Sequence, residues 1–333
     1  MANDNQIYVG RSLDWMEDPQ AALWALPAGI IKNGMAESGS ISWTSKYGSV
    51  VTTLYGIGAV DGINTQGLHA SLLYLSEADY GKAVLGKSNL NVLSWAQYVL
   101  DNFATVDDAV KMLALDKINI IPYLLANGFP VSVRLILTDI SGMNAIIEYD
   151  AGGKLVIIKG VQYKSVANSP TYALQETKYD DWKALNATSW DANLPGSGQS
   201  LDRFIRASYY LDLAEKNQAT QVSNALSIAT VFSIIRNASV PNNFFNNVPS
   251  DPYGKIRTFT RWRTVTNLNK KIYYFEETNK PNIFWVELNK LDLKQGGEVK
   301  QITLLAKGTY DGDATKMFKA TKMFVTPIAI PKY

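Results

Sequence analysis

The feature that most constrains the fold of this 333-residue chain is its hydrophobic period, which changes several times along the sequence. The first part contains short β-branched and aromatic runs separated by Gly, Asn and Asp, and this pattern predicts strands joined by tight turns. These predicted strands cover residues 6–9, 40–46, 49–55 and 68–75. Trp95, Val99 and Phe103 then recur at helical spacing, which predicts an amphipathic helix over residues 91–102.

Strands and helices continue to follow one another in blocks. Thr105 and Asp108 resemble a capping box that opens a second helix reaching about Leu115. Further strands are predicted at 131–138, 145–149, 154–159, 255–265, 271–275, 283–287 and 300–305, further helices at 200–216 and 219–236, and a surface loop at 241–251. Because strand and helix do not alternate regularly, the order predicts an α+β fold with antiparallel sheets. We find no linker or repeat, so we expect one domain over residues 1–333.

Composition narrows the classes of function. Thirty-two basic and thirty acidic residues give a net charge of +2 without a dense basic run, so we expect no nucleic-acid partner. No stretch approaches the roughly 20 apolar residues of a membrane span, and no signal peptide is recognisable in the sequence. The sequence has no cysteine, which excludes disulfides, thiolate metal sites and cysteine catalysis by these residues. His69 is the only histidine, and we expect it to be satisfied within the fold rather than to act as a base.

Three short stretches carry candidate chemistry. Arg11 and Asp14 are close in an apolar strand context, where they form a structural ion pair or polarise a reacting group. Asn168 precedes Ser169-Pro170, so its amide either sits in a plain turn or faces a developing oxyanion. Arg203 opens a predicted helix, where a surface arginine is the ordinary interpretation.

Together these stretches resemble one family, the penicillin V acylases and choloylglycine (bile salt) hydrolases. The motifs are GRSLDW from Gly10, VDGINTQGL from Val60, NSP from Asn168 and DRFIRAS from Asp202. WTSKYGSV, WAQYVLDNFATVDDAV, VFSIIRNASVP, RWRTV and PNIFWVEL resemble the Gram-negative branch, and the similarity runs in order from about residue 6 to residue 290. The resemblance implies a four-layer αββα N-terminal nucleophile hydrolase fold with two antiparallel sheets.

The resemblance also implies roles for five residues. Arg11 would favour the thiolate of an N-terminal cysteine, and Asp14 would accept a hydrogen bond from that residue's α-amino group. The Asn168 side chain and the Tyr74 backbone N–H would form the oxyanion hole, and Arg203 would help to hold the charges. The reaction would be thiolate attack on a linear amide, without a metal or cofactor.

Substrate and assembly are implied in the same way. Trp15 and Tyr74 would border the acyl pocket of a small-molecule acyl amide. An aromatic residue at Tyr74, where many relatives carry Asn, favours penicillin V or N-acyl homoserine lactones, with conjugated bile salts as the alternative. Relatives are commonly homo-oligomers, so a tetramer is expected.

The missing nucleophile is the departure from the family. In relatives the cysteine precedes the Arg11 position by roughly sixteen residues, which falls about six residues before Met1. We therefore expect the nucleophile and an export signal to lie upstream, which gives a periplasmic or secreted location, and we expect the chain as given to be inactive. The alternatives are an inactive relative that binds acylated ligands, or an unrelated structural α+β protein.

Overall fold

The computed structural model describes residues 1–3, 5–186, 188, 193–216, 223–241, 258–280, 282–304 and 310–332. The strands are β1 (Ala2–Asn3), β2 (Gln6–Trp15), β3 (Ala22–Leu26), β4 (Ile31–Asn33), β5 (Ser42–Thr44), β6 (Ser49–Leu54), β7 (Gly58–Asn64), β8 (His69–Tyr74), β9 (Ser88–Asn91), β10 (Ile118–Ile121), β11 (Val133–Thr138), β12 (Asn144–Asp150), β13 (Lys154–Lys159), β14 (Phe259–Asn267), β15 (Ile272–Glu277), β16 (Ile283–Glu287), β17 (Lys300–Thr303), β18 (Gly312–Asp313) and β19 (Lys319–Ala320). The α-helices are α1 (Trp95–Asn102), α2 (Val106–Leu113), α3 (Tyr172–Leu185), α4 (Ser200–Lys216) and α5 (Asn224–Asn237), and short 3-10 turns cover Val92–Ser94, Leu288–Lys290 and Thr315–Met317.

Two large sheets organise the strands. Within the described residues, the large sheet has the order β13-β12-β11-β8-β7-β6-β3-β17-β19 and is antiparallel throughout. The small sheet has the order β1-β2-β14-β15-β16-β18 and is antiparallel except for the last pair. Two ribbons, parallel β9–β10 and antiparallel β4–β5, lie outside them. In the part of the chain that the structure describes, none of the helices has the length and apolar composition of a membrane span.

Side-chain alternation along β3 shows how the layers stack. Leu23 and Ala25 point into the core between the sheets, where they join Trp262 and Phe275 of the small sheet. The alternate residues Ala22, Trp24 and Leu26 face the other side of the sheet, in the core that α1 and α2 cover. On the far side of the small sheet, α5 packs through Phe232 and its neighbours. The predicted four-layer αββα fold with two antiparallel sheets is therefore confirmed, whereas the prediction of a single domain stays a prediction.

Gly10 allows α5 to approach β2 closely. A Cβ atom at this position would lie 2.5 Å from Val231 Cγ1 and 2.9 Å from Ile235 Cγ2, which is closer than carbon atoms pack. The absence of a side chain therefore sets the distance between α5 and the strand that carries Arg11 and Asp14.

Several predicted elements agree with the structure, and some differ. The predicted helix at 200–216 matches α4, and Thr105 caps α2 by accepting a hydrogen bond from the Asp108 N–H at 3.1 Å. The strand predicted at 6–9 continues to Trp15 as β2, and the strand predicted at 40–46 shortens to β5. Parts of the predicted strand 255–265, the helix 219–236, the loop 241–251 and the strand 300–305 lie outside the described residues.

Several elements were not predicted, among them β7, β9 and β10, and two others, β3 and α3, were missed for opposite reasons. β3 has the sequence ALWAL and is buried on both faces, so it lacks the alternation of polar and apolar residues that marks a half-exposed strand. α3 is rich in Glu, Lys and Asp, and its apolar stripe is narrow.

Candidate active site

One cleft of about 1310 Å³ lies beside β2 and the ends of β8 and β11, under α4 and α5. The six residues that the sequence pointed to all line it, namely Arg11, Asp14, Trp15, Tyr74, Asn168 and Arg203. They come from β2, β8, α4 and the segment after β13, so only the fold brings them together. Their chemical roles remain predictions.

Asp14 is held by two partners at one end of the cleft. Its Oδ2 accepts a hydrogen bond from the Arg203 guanidinium at 2.6 Å, and its Oδ1 accepts one from Thr260 Oγ1 at 2.5 Å. Arg203 also donates to the Gly198 carbonyl at 3.1 Å. The Asp14 side chain is 6% exposed, so the Arg203 charge compensates a carboxylate that is largely removed from water. The pair fixes an acceptor at the wall of the cleft.

Arg11 is buried on the opposite face of β2. Its guanidinium donates to the Val60 carbonyl and, at 2.6 Å, to the Leu72 carbonyl, and it lies 5.2 Å from the centre of the Trp262 ring. Burial lowers the pKa of Arg11, while Asp61, 3.5 Å away, opposes that shift. Strands of both sheets therefore hold this cation in one position.

Asp61, which lies next to Arg11, also contacts three other polar side chains. Its Oδ2 accepts hydrogen bonds from Tyr273 OH at 2.6 Å and Thr264 Oγ1 at 2.9 Å, and its Oδ1 lies 3.2 Å from His69 Nε2. Burial acts to raise the pKa of Asp61, but His69, Arg11 and Tyr273 outweigh burial and hold this pKa at about 2. His69 is itself buried in this network and does not line the cleft.

The depressed pKa of Asp61 predicts how stability changes in acid. A carboxyl whose pKa is lower in the folded than in the unfolded chain stabilises the fold above its unfolded value, and this contribution is lost as the pH falls through the folded value. Asp61→Asn is therefore expected to be destabilising at neutral pH, and on the order of 2 kcal/mol of the difference should vanish between about pH 4 and about pH 2. Urea unfolding of both forms measures this difference. A gap that stays constant down to about pH 2 would contradict the assigned ionisation.

The direction of the Tyr74 backbone N–H follows from the pairing of β8 with β11. The Leu75 N–H donates to the Ser132 carbonyl at 3.0 Å, so Leu75 belongs to a hydrogen-bonded pair. In an antiparallel ladder the polar groups of successive residues point to alternate edges. The Tyr74 N–H therefore points to the same edge of β8 as the Leu72 carbonyl. This carbonyl accepts a hydrogen bond from the Arg11 guanidinium.

Buried residues fix the main chain at Asn168. The Asn168 carbonyl accepts hydrogen bonds from Gln175 Nε2 at 2.5 Å and from the Arg134 guanidinium at 3.0 Å. Arg134 is fully buried and pairs with Glu148 at 2.5 Å; burial lowers the pKa of Arg134 to about 10, while the Glu148 charge opposes that shift. These hydrogen bonds hold the main chain at Asn168, which lines the cleft.

Aromatic rings form the outer wall next to this polar end. The Phe129 ring lies 5.3 Å from the Trp15 ring and 5.7 Å from the Tyr74 ring, measured between centroids. Phe129 belongs to the loop of residues 122–132 between β10 and β11. This loop carries no recognisable motif, so nothing in the sequence indicated Phe129 as a site residue.

Other supporting residues were also missed, although two of them leave a signal in the sequence. Asp61 and Arg134 are charged residues inside otherwise apolar strands, a placement that nearly always requires a buried partner. Thr260 leaves no such signal, because threonine is common in strands. Among the described residues, no group of three or more His, Cys, Asp or Glu is arranged to hold a metal ion.

Comparisons with known proteins show which family the sequence of this chain matches. The family model of linear amide C–N hydrolases, choloylglycine hydrolase family, matches residues 1–303. The penicillin V acylase of Pectobacterium atrosepticum is 37% identical over 343 residues, which cover 97% of this chain and 88% of that protein. A bile salt hydrolase/transferase of Clostridium perfringens is 24% identical over 261 residues, which cover 72% of this chain and 75% of that protein.

Solved structures of two such hydrolases have a similar fold over most of this chain. The penicillin V acylase from Agrobacterium tumefaciens superposes with a TM-score of 0.86 at 39% identity, covering 97% of this chain and 96% of that one. A variant of the conjugated bile acid hydrolase from Clostridium perfringens superposes with a TM-score of 0.76 at 22% identity, covering 92% and 96% respectively.

Proposed function

Because the chain belongs to the choloylglycine hydrolase family of linear amide C–N hydrolases, we propose that its cleft hydrolyses acyl amides of the penicillin V type. The proposal rests on one observation, namely that the same cleft is lined by polar residues and by aromatic rings. Asp14, Arg11 and Asn168 lie at the polar end, where charge would develop, and Trp15 and Phe129 offer flat apolar surface for a phenoxyacetyl group.

The other substrates expected from the sequence remain alternatives. N-Acyl homoserine lactones carry a linear amide and a flexible acyl chain that the same wall would accept. Conjugated bile salts are the less favoured alternative, because Tyr74 and Phe129 place two rings where a rigid steroid would have to enter. An inactive relative that binds acylated ligands is a further alternative.

The pairing of β1 with β2 supports a nucleophile located before Met1. Ala2 lies opposite Ile7 and Met1 exchanges backbone hydrogen bonds with Tyr8, so each step towards the N-terminus advances one residue along β2. No described strand pairs with this edge of β2 beyond Tyr8. If the pairing continued in this register, the residue six positions before Met1 would lie opposite Asp14, which is six positions after Tyr8. The family spacing gives the same distance, so we propose a cysteine there.

The reaction we propose uses the cysteine's own α-amino group as the base. Asp14 would accept a hydrogen bond from this amine, whose ordinary pKa of about 7.7–8.0 allows it to take up the thiol proton near neutral pH. Arg11 would favour the thiolate, which attacks the amide carbonyl. The Asn168 amide and the Tyr74 N–H would stabilise the oxyanion, and the amine would return the proton to the leaving nitrogen. Water would then hydrolyse the acyl-enzyme.

A panel of amides tests the proposed substrate. With a form that carries the cysteine, we expect release of phenoxyacetate from penicillin V to exceed release of glycine or taurine from conjugated bile salts by about tenfold or more in kcat/KM, which corresponds to about 1.4 kcal/mol of selectivity. Liquid chromatography of the released acids and amines measures all reactions in parallel. Faster cleavage of the bile salts would contradict the proposed substrate and support hydrolysis of conjugated bile salts instead.

Two further expectations stay proposals. A periplasmic or secreted location depends on an export signal upstream of the cysteine. A homotetramer is what the family resemblance implies, and light scattering of the purified protein would test it.

A further inference from the structure

We propose that Phe129 is a third wall of the acyl site and that Glu17 is the positioning residue that holds it there. This inference rests on the proposed function, since it concerns the same cleft. It adds a specificity-determining ring and a polar latch to the residues that the family resemblance supplies.

Phe129 packs against two other aromatic rings that line the cleft. Its ring meets the Trp15 ring edge to face, with an interplanar angle of 84°, and meets the Tyr74 ring at 44°. Three rings from three separate segments thus line the same cleft as Asp14 and Asn168. Rings in such an arrangement select flat aromatic groups over flexible chains, because each added ring contact contributes beyond the buried area.

A chain of hydrogen bonds, which we call the latch, holds these segments together. Trp15 Nε1 donates to Tyr55 OH at 2.6 Å, and Tyr55 OH donates to Glu17 Oε1 at 2.6 Å. Asn127 Nδ2 donates to the same Glu17 oxygen at 2.9 Å, and Asn127 Oδ1 accepts the Phe129 N–H at 3.0 Å. The latch therefore runs from one ring of the acyl site to another through a single carboxylate.

The backbone at Tyr55 supports a functional interpretation of the latch. Tyr55 has a φ of 52°, a left-handed conformation that a bulky residue rarely adopts. This conformation places its hydroxyl between Trp15 and Glu17, where it makes both hydrogen bonds. Glu17 itself is exposed, and its hydrogen bonds to Tyr55 and Asn127 lower its pKa, so the latch is held by a carboxylate that stays ionised.

The loop that carries Phe129 depends on this attachment. Its internal hydrogen bonds run from the Leu125 N–H to the Phe129 carbonyl at 2.9 Å and from the Gly128 N–H to the Leu125 carbonyl at 2.8 Å. They shape the tip of the loop, whereas the bond between Asn127 and Glu17 ties that tip to the segment after β2. Loss of the Glu17 carboxylate would release Phe129 from Trp15 while leaving the tip intact.

Binding of two acids by the chain as it stands tests the inference without any need for catalysis. Calorimetry with phenoxyacetate and with octanoate gives the preference for an aromatic over a straight-chain acyl group. We expect the unaltered chain to prefer phenoxyacetate, and Phe129→Ala to weaken phenoxyacetate binding by about tenfold and octanoate binding by only about twofold. Phe129→Leu keeps apolar volume without a ring, so it should also lose the preference.

The Glu17 variants separate positioning from a general structural effect. Glu17→Ala should reduce the preference as Phe129→Ala does, and Glu17→Gln should restore most of it, because the amide oxygen still accepts both hydrogen bonds. Leu124→Ala is the matched control, since this side chain is 61% exposed on the same loop and does not line the cleft. An unchanged preference in Phe129→Ala, or no binding of either acid to the unaltered chain, would overturn the inference. The proposed function fails separately, if the form with the cysteine cleaves no amide.

Discussion

Extension of the chain by six residues that begin with cysteine is expected to create penicillin V hydrolysis at least about 10³-fold faster than the chain from Met1 shows, because loss of a nucleophile typically costs several orders of magnitude. The extension would continue the pairing of β1 along β2 and bring its first residue opposite Asp14. There the α-amino group would meet the carboxylate that Arg203 and Thr260 already hold. Initial rates of phenoxyacetate release measure the gain, after mass spectrometry has shown that cysteine is the first residue.

Extensions of other lengths provide the sharpest control. Five or seven residues would shift the cysteine by one position along the strand, and a shift of one residue turns a side chain to the opposite face of a sheet. Neither form is expected to reach the rate of the six-residue form. An extension of the same length that begins with alanine tests whether strand completion alone contributes. Activity of the unextended chain, or equal activity at all three lengths, would refute the proposed placement.

The layers of the fold were predictable because local patterns in the sequence agree with them. Thr105 marks the start of α2, and the apolar repeat of Trp95 and Val99 marks α1. Glycines and polar turns separate the strands of the large sheet. The ordered motifs then favoured one arrangement of these elements over others, namely two sheets between helices.

The candidate site was predictable only in part, since its support comes from residues far apart in the sequence. Asp14 and Thr260 are separated by 246 positions and Asp61 and Tyr273 by 212, and no local pattern reports such a contact. Phe129 meets the Trp15 ring although 114 positions separate the two residues, and Asn127 of the same loop binds Glu17 beyond β2. Contacts of this kind depend on the packing of the sheets and follow from no single segment.

Arg11 and Asp14, the two charged residues of β2, have their partners in different layers of the fold. Successive side chains of a strand point to opposite faces, so Arg11 enters the space between the sheets and Asp14 faces α4. Asp61 balances the charge of the first, and Arg203 balances that of the second. Each charge of β2 is therefore balanced on its own face of the strand.

Asn168→Ala, made in the form that carries the cysteine, is expected to lower kcat by about 10²- to 10³-fold with little change in KM, because an oxyanion donor acts mainly in the transition state. The fold should be unaffected, since Arg134 and Gln175 bind the Asn168 carbonyl, which alanine retains. Thermal unfolding of the two forms checks this point.

Asn168→Asp distinguishes hydrogen-bond donation from the mere presence of a polar group. Aspartate has nearly the same shape but offers only acceptors when ionised, so it would repel the oxyanion where the amide donates to it. We therefore expect Asn168→Asp to be at least as slow as Asn168→Ala at neutral pH. If aspartate instead retained most of the activity, Asn168 would be a structural residue of its turn, and the Tyr74 N–H would need a different partner in stabilising the oxyanion.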